Sequence, residues 1–309
     1  MTSTRTAIAW LCVSSALVGI SACSQTSGAD SPASSQTAPL EAAVTPAPTN
    51  AAPATTVPVT AAPTTATPTT MAPTTTEAPA TTAAPPTTIP SNLVVVGPAA
   101  VPIAGVGKSN GVDTFALQER LNALGFWAGI PDGQYGFASV QAVMAFQKYI
   151  GLPATGSVDG TTAEYLTAFG EKARGTADSG TLVEVDKARQ LLFIVVDGQT
   201  LLTFNTSTGS GIPYEATNKN DPTKIEKGDS ITPNGLYKTT RERPEGWWEG
   251  DLGKIYRPKY FVGGVAIHGM TSVPNYPASH GCVRLSTMAM DVIWETGLVP
   301  VGTPVWVHE

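Results

Sequence analysis

Hydrophobic residues recur at helical spacing three times between residues 113 and 170. The first run begins near Asp113 and ends at Gly125, the second ends at Gly151, and the third begins near Thr161. Apolar side chains at i, i+4 and i+7 cover one face of a helix, and a glycine just past them is typical of a helix end. The stripes consist of Leu117, Leu121 and Leu124; Val140, Val143, Met144, Phe146 and Ile150; and Tyr165, Leu166 and Phe169. The pattern predicts a compact three-helix bundle.

Beyond residue 180 the pattern changes to short apolar runs and strand-like alternation. The predicted strands are 181–186, 190–196, 200–206, 235–240, 260–268 and 303–307. Asp197 and Gly198 separate two of these runs and form a hairpin signal. Only 286–296 is convincingly helical, with Ser286 as candidate N-cap and Gly297 as the stop. Because βαβ alternation is absent, we expect a multidomain protein in which the bundle at 113–170 precedes a mainly antiparallel, β-sandwich-like domain at 180–309.

Neither pattern extends to the residues before 113. Residues 31–107 contain no aromatic residue, and Glu41 and Glu77 are their only charged residues. Sequence dominated by Pro, Thr and Ala cannot bury enough apolar surface to offset the entropy of ordering. We therefore predict a disordered linker over residues 23–112. It is either a tether that holds the folded part away from a membrane or a spacer of no specific length.

Residues 1–22 are typical of an export signal. Arg5 supplies positive charge, and residues 7–20 form a mostly apolar run that is too short to span a bilayer. The string Ile20-Ser21-Ala22-Cys23 resembles the lipobox of bacterial lipoproteins, in which cleavage leaves the cysteine as the first residue, carrying a lipid. We expect lipid on Cys23 to anchor the chain to the outer face of the cytoplasmic membrane, facing the cell wall. The alternative is ordinary signal cleavage with Cys23 unmodified.

The composition excludes several functional classes. The formal net charge is −6 and no Lys/Arg cluster exists, which argues against nucleic acid as a partner. Three cysteines cannot form a disulfide scaffold. If Cys12 leaves with the signal and Cys23 is lipidated, Cys282 is alone in an oxidising compartment. An unpaired cysteine there calls for either reactivity or burial.

The candidate chemistry lies in two strings, His268-Gly269 and Ser279-His280-Gly281-Cys282-Val283-Arg284-Leu285. A thiol is a poor nucleophile until it is deprotonated, and a neighbouring imidazole stabilises the thiolate and relays the proton. Gly281 leaves room for a substrate backbone and permits unusual backbone angles. The amides of Gly281 and Cys282 are therefore candidates to face a developing oxyanion.

These strings resemble the L,D-transpeptidase family, which has a YkuD-like catalytic domain. The likeness extends through residues 207–209, 232–235 and 263–268 and covers 181–307. The helical run, with Leu117-Gln118 and Asp132-Gly133-Gln134-Tyr135-Gly136, resembles the peptidoglycan-binding domain found beside many cell-wall enzymes. Most of those positions are core or turn residues that any such bundle needs. They predict its fold more strongly than its binding of glycan.

The family resemblance implies roles for the residues of the two strings. Cys282 would be the acylated nucleophile and His268 its general acid and base. The implied oxyanion and substrate-binding set is His280, Gly281, Ser279, Arg284 and Gly269, with Arg284 holding the site or a substrate carboxylate. The group that would orient His268 is not identifiable from the sequence. No cofactor or metal is implied.

The resemblance also implies the reaction. The donor would be the tetrapeptide stem of peptidoglycan, and Cys282 would attack the carbonyl of its third residue and expel the terminal D-alanine. An amine from a neighbouring stem would then resolve the thioester and give a 3→3 cross-link. The family is also known for acylation by carbapenems, so β-lactams of this class are expected inhibitors.

Three other functions stay open at this stage. His268, His280 and Cys282 have side chains that zinc prefers, as in a zinc wall-peptide peptidase, although no acidic ligand or glutamate base accompanies them in a metal motif. A cysteine carboxypeptidase would use the same residues with water as acceptor. A non-catalytic peptidoglycan-binding lipoprotein would merely bury Cys282.

The sequence also predicts the structural setting of four further features. The polar run at 210–231 is expected to be a solvated loop rather than a lid. Trp247 and Trp248 are expected to pack in the interior rather than stack on sugars. Residues 241–245 alternate in charge and are expected to be solvated, and His308 is expected to be a solvated end.

Overall fold

The computed structural model of the chain describes residues 90–309, which contain four helices and twelve strands. The predicted signal peptide, Cys23 and the larger part of the predicted linker lie outside the described residues. Within the described range, no helix has the length and apolar character needed to cross a membrane.

The secondary structure falls into a helical module followed by a β-rich domain. The elements are α1 (Val112–Ala123), α2 (Phe137–Tyr149), α3 (Gly160–Ala168), β1 (Leu182–Asp186), β2 (Leu191–Val196), β3 (Gln199–Asn205), β4 (Tyr214–Thr217), β5 (Ile225–Gly228), β6 (Gly235–Lys238), β7 (Arg241–Glu242), β8 (Trp247–Gly250), β9 (Gly253–Val262), β10 (Val265–Met270), β11 (Val283–Ser286), α4 (Thr287–Thr296) and β12 (Pro304–His308). The predicted multidomain architecture, a three-helix bundle before a β-sandwich-like domain, is confirmed.

Hydrogen bonds to buried side chains hold the turns of the helical module. The side chain of Gln118 is buried, and its Oε1 atom accepts from the backbone N–H groups of Asp132 and Gly133, each at 2.9 Å. Gln147 is also buried and accepts from the N–H of Gly156 at 2.9 Å. The two buried glutamines therefore hold two glycine turns of the fold.

The segment before α1 lies against this module. The N–H groups of Val96 and Gly97 donate to the carbonyl of Gly170, at 2.7 and 2.8 Å, and Gly107 pairs with Val158 through two backbone hydrogen bonds. The sequence assigns this segment to the linker, which it predicts to extend to residue 112. The structure differs there, because Ile103 and Val106 pack against the core of the helical module and the backbone pairs with residues 158 and 170.

The β-rich domain consists of two five-stranded sheets and a separate two-stranded hairpin. One sheet has the strand order β3-β2-β1-β12-β6, and the other has β11-β10-β9-β7 with β8 paired to β9. Most pairs are antiparallel, as predicted, but β1 pairs with β12 and β10 with β11 in parallel. The core between the sheets also receives α4, which begins at its predicted cap, Ser286, and ends at Gly297 in the left-handed conformation.

Strand β2 is buried on both faces and joins the module to the sandwich. Leu192 and Ile194 point into the core between the sheets. Leu191, Phe193 and Val195 alternate with them and belong to the hydrophobic core of the helical module. The module and the β-rich domain therefore share one strand as a wall of both cores.

One strand predicted from the sequence is divided into two strands in the structure. The sequence predicts a single strand over 260–268, whereas β9 ends at Val262, the chain turns at Gly263 and Gly264, and β10 returns antiparallel from Val265. Gly263 has φ 51°, a left-handed conformation that suits glycine in such a turn. The turn at Asp197 and Gly198 is a hairpin as predicted, with positive φ at both residues.

Candidate active site

The two strings singled out in the sequence meet in one cavity. Its volume is about 630 Å³, and Cys282, His268, Ser279, His280 and Arg284 all line it. His268 lies on β10, and Cys282 immediately precedes β11. The parallel pairing of these strands places His268 opposite Arg284 in the register. This pairing brings the strand that carries His268 beside the strand that follows Cys282, and both side chains line the cavity.

The thiol of Cys282 lies against the turn between β9 and β10. Its Sγ atom accepts from the N–H of Ala266 at 3.4 Å and lies 3.9 Å from the carbonyl oxygen of Gly264. Burial raises the pKa of Cys282, while the N–H of Ala266 and the charge of Arg284 act to lower the same pKa. Because burial dominates, Cys282 rests as a thiol at neutral pH.

His268 is buried and its surroundings favour the neutral imidazole. Its side chain is 3% exposed, and Nδ1 lies 3.1 Å from the carbonyl oxygen of Gly269. A carbonyl can only accept, so we assign the ring proton to Nδ1, which leaves Nε2 free to take a proton. Burial lowers the pKa of His268 to about 4, and the bond to Gly269 and the charge of Arg284 have smaller, opposite effects. The orienting group that the sequence does not reveal is therefore a backbone carbonyl.

Ser279 shapes the loop that carries the thiol. The buried hydroxyl accepts from the N–H of Gly281 at 3.0 Å and donates to the carbonyl of Cys282 at 2.5 Å. The sequence makes the amide of Gly281 a candidate oxyanion donor, and this bond engages it instead. Gly281 has φ 130°, and a Cβ atom there would lie 2.9 Å from the carbonyl oxygen of Ile231. Only glycine fits this turn.

The upstream strings of the sequence pattern brace the same loop. The hydroxyl of Thr232 donates to the carbonyl of Gly281 at 2.6 Å and accepts from the N–H of Gly209 at 2.9 Å. The carbonyl of Thr208 accepts from the N–H of Ser279 at 3.0 Å. Residues far apart in the chain thus fix the backbone on which Cys282 sits.

Two more predicted residues face the cavity. His280 is exposed, and its ring centroid lies 4.5 Å from that of Tyr214. Arg284 is partly buried, and its Nε atom has no hydrogen-bond partner among residues 90–309. Burial lowers the pKa of Arg284, although the nearby Cys282 counteracts this. An arginine with an unused donor beside the thiol suits an anionic ligand.

The run at 210–231 is a hairpin rather than the solvated loop that the sequence predicts. Strands β4 and β5 pair along its length, and Tyr214 and Glu226 line the cavity. The Nδ2 atom of Asn220 donates to the carboxylate of Asp251 at 2.9 Å, and the N–H of Lys219 donates to the carbonyl of Asp251 at 2.8 Å. The hairpin therefore reaches the turn between β8 and β9 and forms one wall of the site.

The tryptophan pair and the charged segment also differ from expectation. Trp247 and Trp248 are 46% and 41% exposed rather than buried, because β8 pairs only with β9 at the sheet margin, and Trp248 lines the cavity. Arg241 and Arg243 line it as well. Glu242 points elsewhere and forms an ion pair with buried Lys259 at 2.6 Å.

His308 is not a solvated end in the structure. Its Nε2 atom lies 2.9 Å from Oε1 of Glu184, a carboxylate with no exposed surface that also accepts from the N–H groups of Thr176 and Ala177. The parallel pairing of β12 with β1 brings His308 to this buried acid. The residue serves the fold and lies outside the cavity.

Comparison with known proteins fits this architecture. The family model for the L,D-transpeptidase catalytic domain (YkuD) matches residues 180–307, and the model described as "Putative peptidoglycan binding domain" matches residues 110–166. The chain is also similar to an L,D-transpeptidase from Xylanimonas cellulosilytica whose crystal structure contains residues 123-326. The two sequences are 40% identical, and the structures superpose with a TM-score of 0.59. The match covers 68% of this chain and 100% of that one.

The chain belongs to the L,D-transpeptidase family. A curated relative, the spore cortex-lytic enzyme of Bacillus cereus, is 34% identical over 73 residues. That match covers 24% of this chain and 28% of the Bacillus protein, so the chain spans little more than a quarter of that relative's length.

The helical module also contacts the segment that leads to Ser279. Gln141 on α2 donates from Nε2 to the carbonyl of Val273 at 3.2 Å and accepts at Oε1 from Asn205 at 2.6 Å. Asn275 donates to the carbonyl of Ala154 at 2.7 Å. Sequence reasoning misses these residues, because a lone Gln or Asn on a helix or loop carries no local signal of so distant a partner.

The donor set of this transpeptidase domain also bears on the zinc alternative. Across residues 90–309, no group of three or more His, Cys, Asp or Glu side chains is arranged to hold a metal ion. His268, His280 and Cys282 therefore lack the arrangement of three ligands that a zinc site in this part of the chain would need.

Proposed function

We propose that this chain is a peptidoglycan L,D-transpeptidase in which Cys282 is the nucleophile and His268 its general base and acid. The observation that supports this most is the neutral imidazole of His268, held through Nδ1 on the strand beside the thiol. A neutral base next to a resting thiol can take the thiol proton as the sulfur attacks.

Acylation follows from this pair. Nε2 of His268 takes the proton of Cys282 while Sγ attacks the carbonyl carbon of the third residue of a tetrapeptide stem. The tetrahedral intermediate collapses, the C–N bond to D-alanine breaks, and the imidazolium returns the proton to the leaving amine. A thioester on Cys282 and free D-alanine result, and the proton count of the site is unchanged.

Deacylation repeats the sequence with an amine from a second stem. His268 accepts a proton from the attacking amine, the C–S bond breaks, and the sulfur regains a proton. The new amide joins two stems, and the family resemblance makes a 3→3 cross-link the expected product. Water in place of the amine would make the enzyme a carboxypeptidase, so the acceptor must be read from the products.

The oxyanion needs donors that the resting loop does not already use. The N–H of Gly281 is engaged by Ser279, whereas the N–H of Cys282 is in none of the hydrogen bonds found within residues 90–309. We assign the oxyanion to the N–H of Cys282, with Gly281 and His280 shaping the space and Arg284 supplying positive charge. The same acylation chemistry makes carbapenems expected covalent inhibitors.

The setting of the reaction is part of the proposal. The helical module would bind peptidoglycan, and lipid on Cys23 would hold the enzyme at the outer face of the cytoplasmic membrane. The support is the matched binding-domain model and the signal and lipobox pattern of the N-terminus. Metabolic labelling with a fatty acid tests the anchor, because Cys23→Ser should abolish both labelling and membrane retention.

A direct test compares wild type with Cys282→Ala and Cys282→Ser on purified muropeptides. We expect wild type to release D-alanine and form cross-linked dimers, and Cys282→Ala to do neither while keeping its thermal unfolding midpoint. Intact-mass spectrometry should show one carbapenem adduct on wild type and none on Cys282→Ala. An adduct that persists in Cys282→Ala would contradict the nucleophile assignment, and hydrolysis without dimers would favour the carboxypeptidase.

A further inference from the structure

Two arginines on the cavity wall have their guanidinium groups over aromatic rings. The guanidinium carbon of Arg241 is 3.9 Å from the ring centroid of Tyr260, and that of Arg243 is 3.5 Å from the ring of Trp248. Stacking of this kind fixes the plane of a guanidinium and leaves its N–H edge free to bind. Both side chains line the cavity that contains Cys282.

Neither guanidinium is neutralised within residues 90–309. Arg241 makes one long side-chain hydrogen bond, 3.4 Å to the carbonyl of Gly263, and Arg243 makes none. Other arginines of the domain differ, since Arg257 pairs with Asp291 at 2.7 Å and Arg189 with Asp186 at 2.6 Å. The cavity arginines thus keep donors that a planar anion can satisfy in pairs.

The strand explains why the two cations lie on one side. Residues two apart on an extended chain face the same way, so Arg241 and Arg243 share a side while Glu242 points away to Lys259. The acids of the cavity do not serve as partners. Glu226 accepts from Asn218 at 2.7 Å, Asp251 accepts from Asn220 at 2.9 Å, and neither forms an ion pair with these arginines.

We propose that Arg241 and Arg243 bind a free carboxylate at the side-chain end of the third residue of a stem peptide. This proposal rests on the proposed function. Stem peptides carry either a diaminodicarboxylic acid or a lysine-type diamine at that position, and only the former offers a carboxylate there. The site would therefore favour stems with that carboxylate free over stems in which it is amidated or missing.

Both stems in the reaction carry this residue, so the test must separate them. Four reactions of the purified enzyme combine donor and acceptor stems, each with the side-chain carboxylate free or as the carboxamide, and mass spectrometry follows cross-linked product. For wild type we expect KM to be about tenfold lower for the free carboxylate in one of the two stems. The stem that shows the preference is the one held at this site.

The matched variant is the double substitution Arg241→Gln and Arg243→Gln, with Lys227→Gln as control. Lys227 is exposed, pairs with Glu215 at 2.9 Å and lies outside the cavity, so its loss removes a positive charge from the β4–β5 hairpin without changing the cavity lining. We expect the ratio of KM values for carboxamide and carboxylate to fall to about one in the double variant and to persist in the control. Thermal unfolding checks that each variant is folded.

Two results would overturn the proposal while leaving the proposed function standing. One is equal KM for carboxylate and carboxamide stems in wild type, and the other is a preference that survives in the folded double variant. A wild type that forms a carbapenem adduct but no product from any stem would instead overturn the transpeptidase assignment, and this proposal with it.

Discussion

The hydroxyl of Ser279 donates to the carbonyl of Cys282 across 2.5 Å and thereby closes the turn that presents the thiol. Ser279→Ala would leave that carbonyl and the N–H of Gly281 without their partner. An unsatisfied buried group costs about 1–3 kcal/mol, so a lower unfolding midpoint is expected. Carbapenem acylation should slow by about 100-fold, the cost of a reacting atom misplaced by about 1 Å.

Ser210→Ala is the matched control for that substitution. The Ser210 hydroxyl accepts only one long bond, 3.3 Å from the N–H of Ile212, and does not line the cavity. Acylation by the control should stay within twofold of wild type, as is usual for a side chain with no buried role. Unchanged acylation in Ser279→Ala would show that the loop holds its shape without the hydroxyl.

The buried imidazole of His268 makes stability depend on pH. Its pKa in the folded state is about 4, below the value of about 6.5 for an unfolded histidine. As pH falls from 6.5 to 4, His268 becomes protonated in the unfolded state but stays neutral in the folded state. The free energy of unfolding therefore declines over this pH range. The loss attributable to His268 reaches about 3 kcal/mol. Urea unfolding at a series of pH values measures it.

His268→Gln supplies the reference for that titration, because glutamine does not ionise in this range. The slope of unfolding free energy against pH between 6.5 and 4 should be shallower in His268→Gln than in wild type. In wild type, His268 should stay unprotonated down to about pH 4, so the acylation rate should not fall through loss of this base above that pH. A decline of the rate centred near pH 6.5 would contradict the buried neutral imidazole.

The two cores that meet at β2 should unfold together. Phe193 has no exposed surface and lies in the core of the helical module, although it belongs to the β-rich domain. Phe193→Ala is expected to lower the free energy of unfolding by about 3–5 kcal/mol. Calorimetry should show a single transition with a lower midpoint temperature. Phe115→Ala, which removes a 42% exposed ring from α1, should shift the midpoint little. Two transitions, with only one of them shifted, would contradict the shared core.

Gln141 links the helical module to catalysis by holding Val273 ahead of the Ser279 loop. Gln141→Ala should lower kcat by about tenfold with little change in KM, because a neighbouring element loses its support while the cavity lining is intact. Gln134→Ala is the control, since that exposed side chain makes no hydrogen bond among residues 90–309. An equal fall in both variants would point to general destabilisation of the module instead.

Features encoded within a few residues were predictable from the sequence. The Ser286 cap and Gly297 stop of α4, the Asp197-Gly198 hairpin and the helical stripes each depend on neighbours within one or two turns. The meeting of His268 with Cys282 was also foreseeable, through the family pattern. The parallel pairing of β10 with β11 that produces it was not, because a parallel pair leaves no turn signal.

What the sequence could not supply depends on distant partners. Gln141 and Val273 are 132 residues apart, and Glu184 and His308 are 124 apart. The carbonyl of Gly269 orients His268, and a backbone carbonyl is present at every residue, so no residue type marks it. Trp247 and Trp248 were misjudged because edge exposure of β8 is decided by sheet order, which hydrophobicity does not encode.

The strand shared by the two cores has a consequence for the proposed binding of peptidoglycan by the helical module. A binding module on a flexible hinge lets a catalytic centre sample many positions around one anchoring point. Here β2 leaves no such hinge between the module and Cys282. A wall strand held by the helices would meet the thiol at one fixed offset and angle. The fixed distance between the helical module and Cys282 would then restrict the reaction to stems that lie at that distance from the bound wall strand.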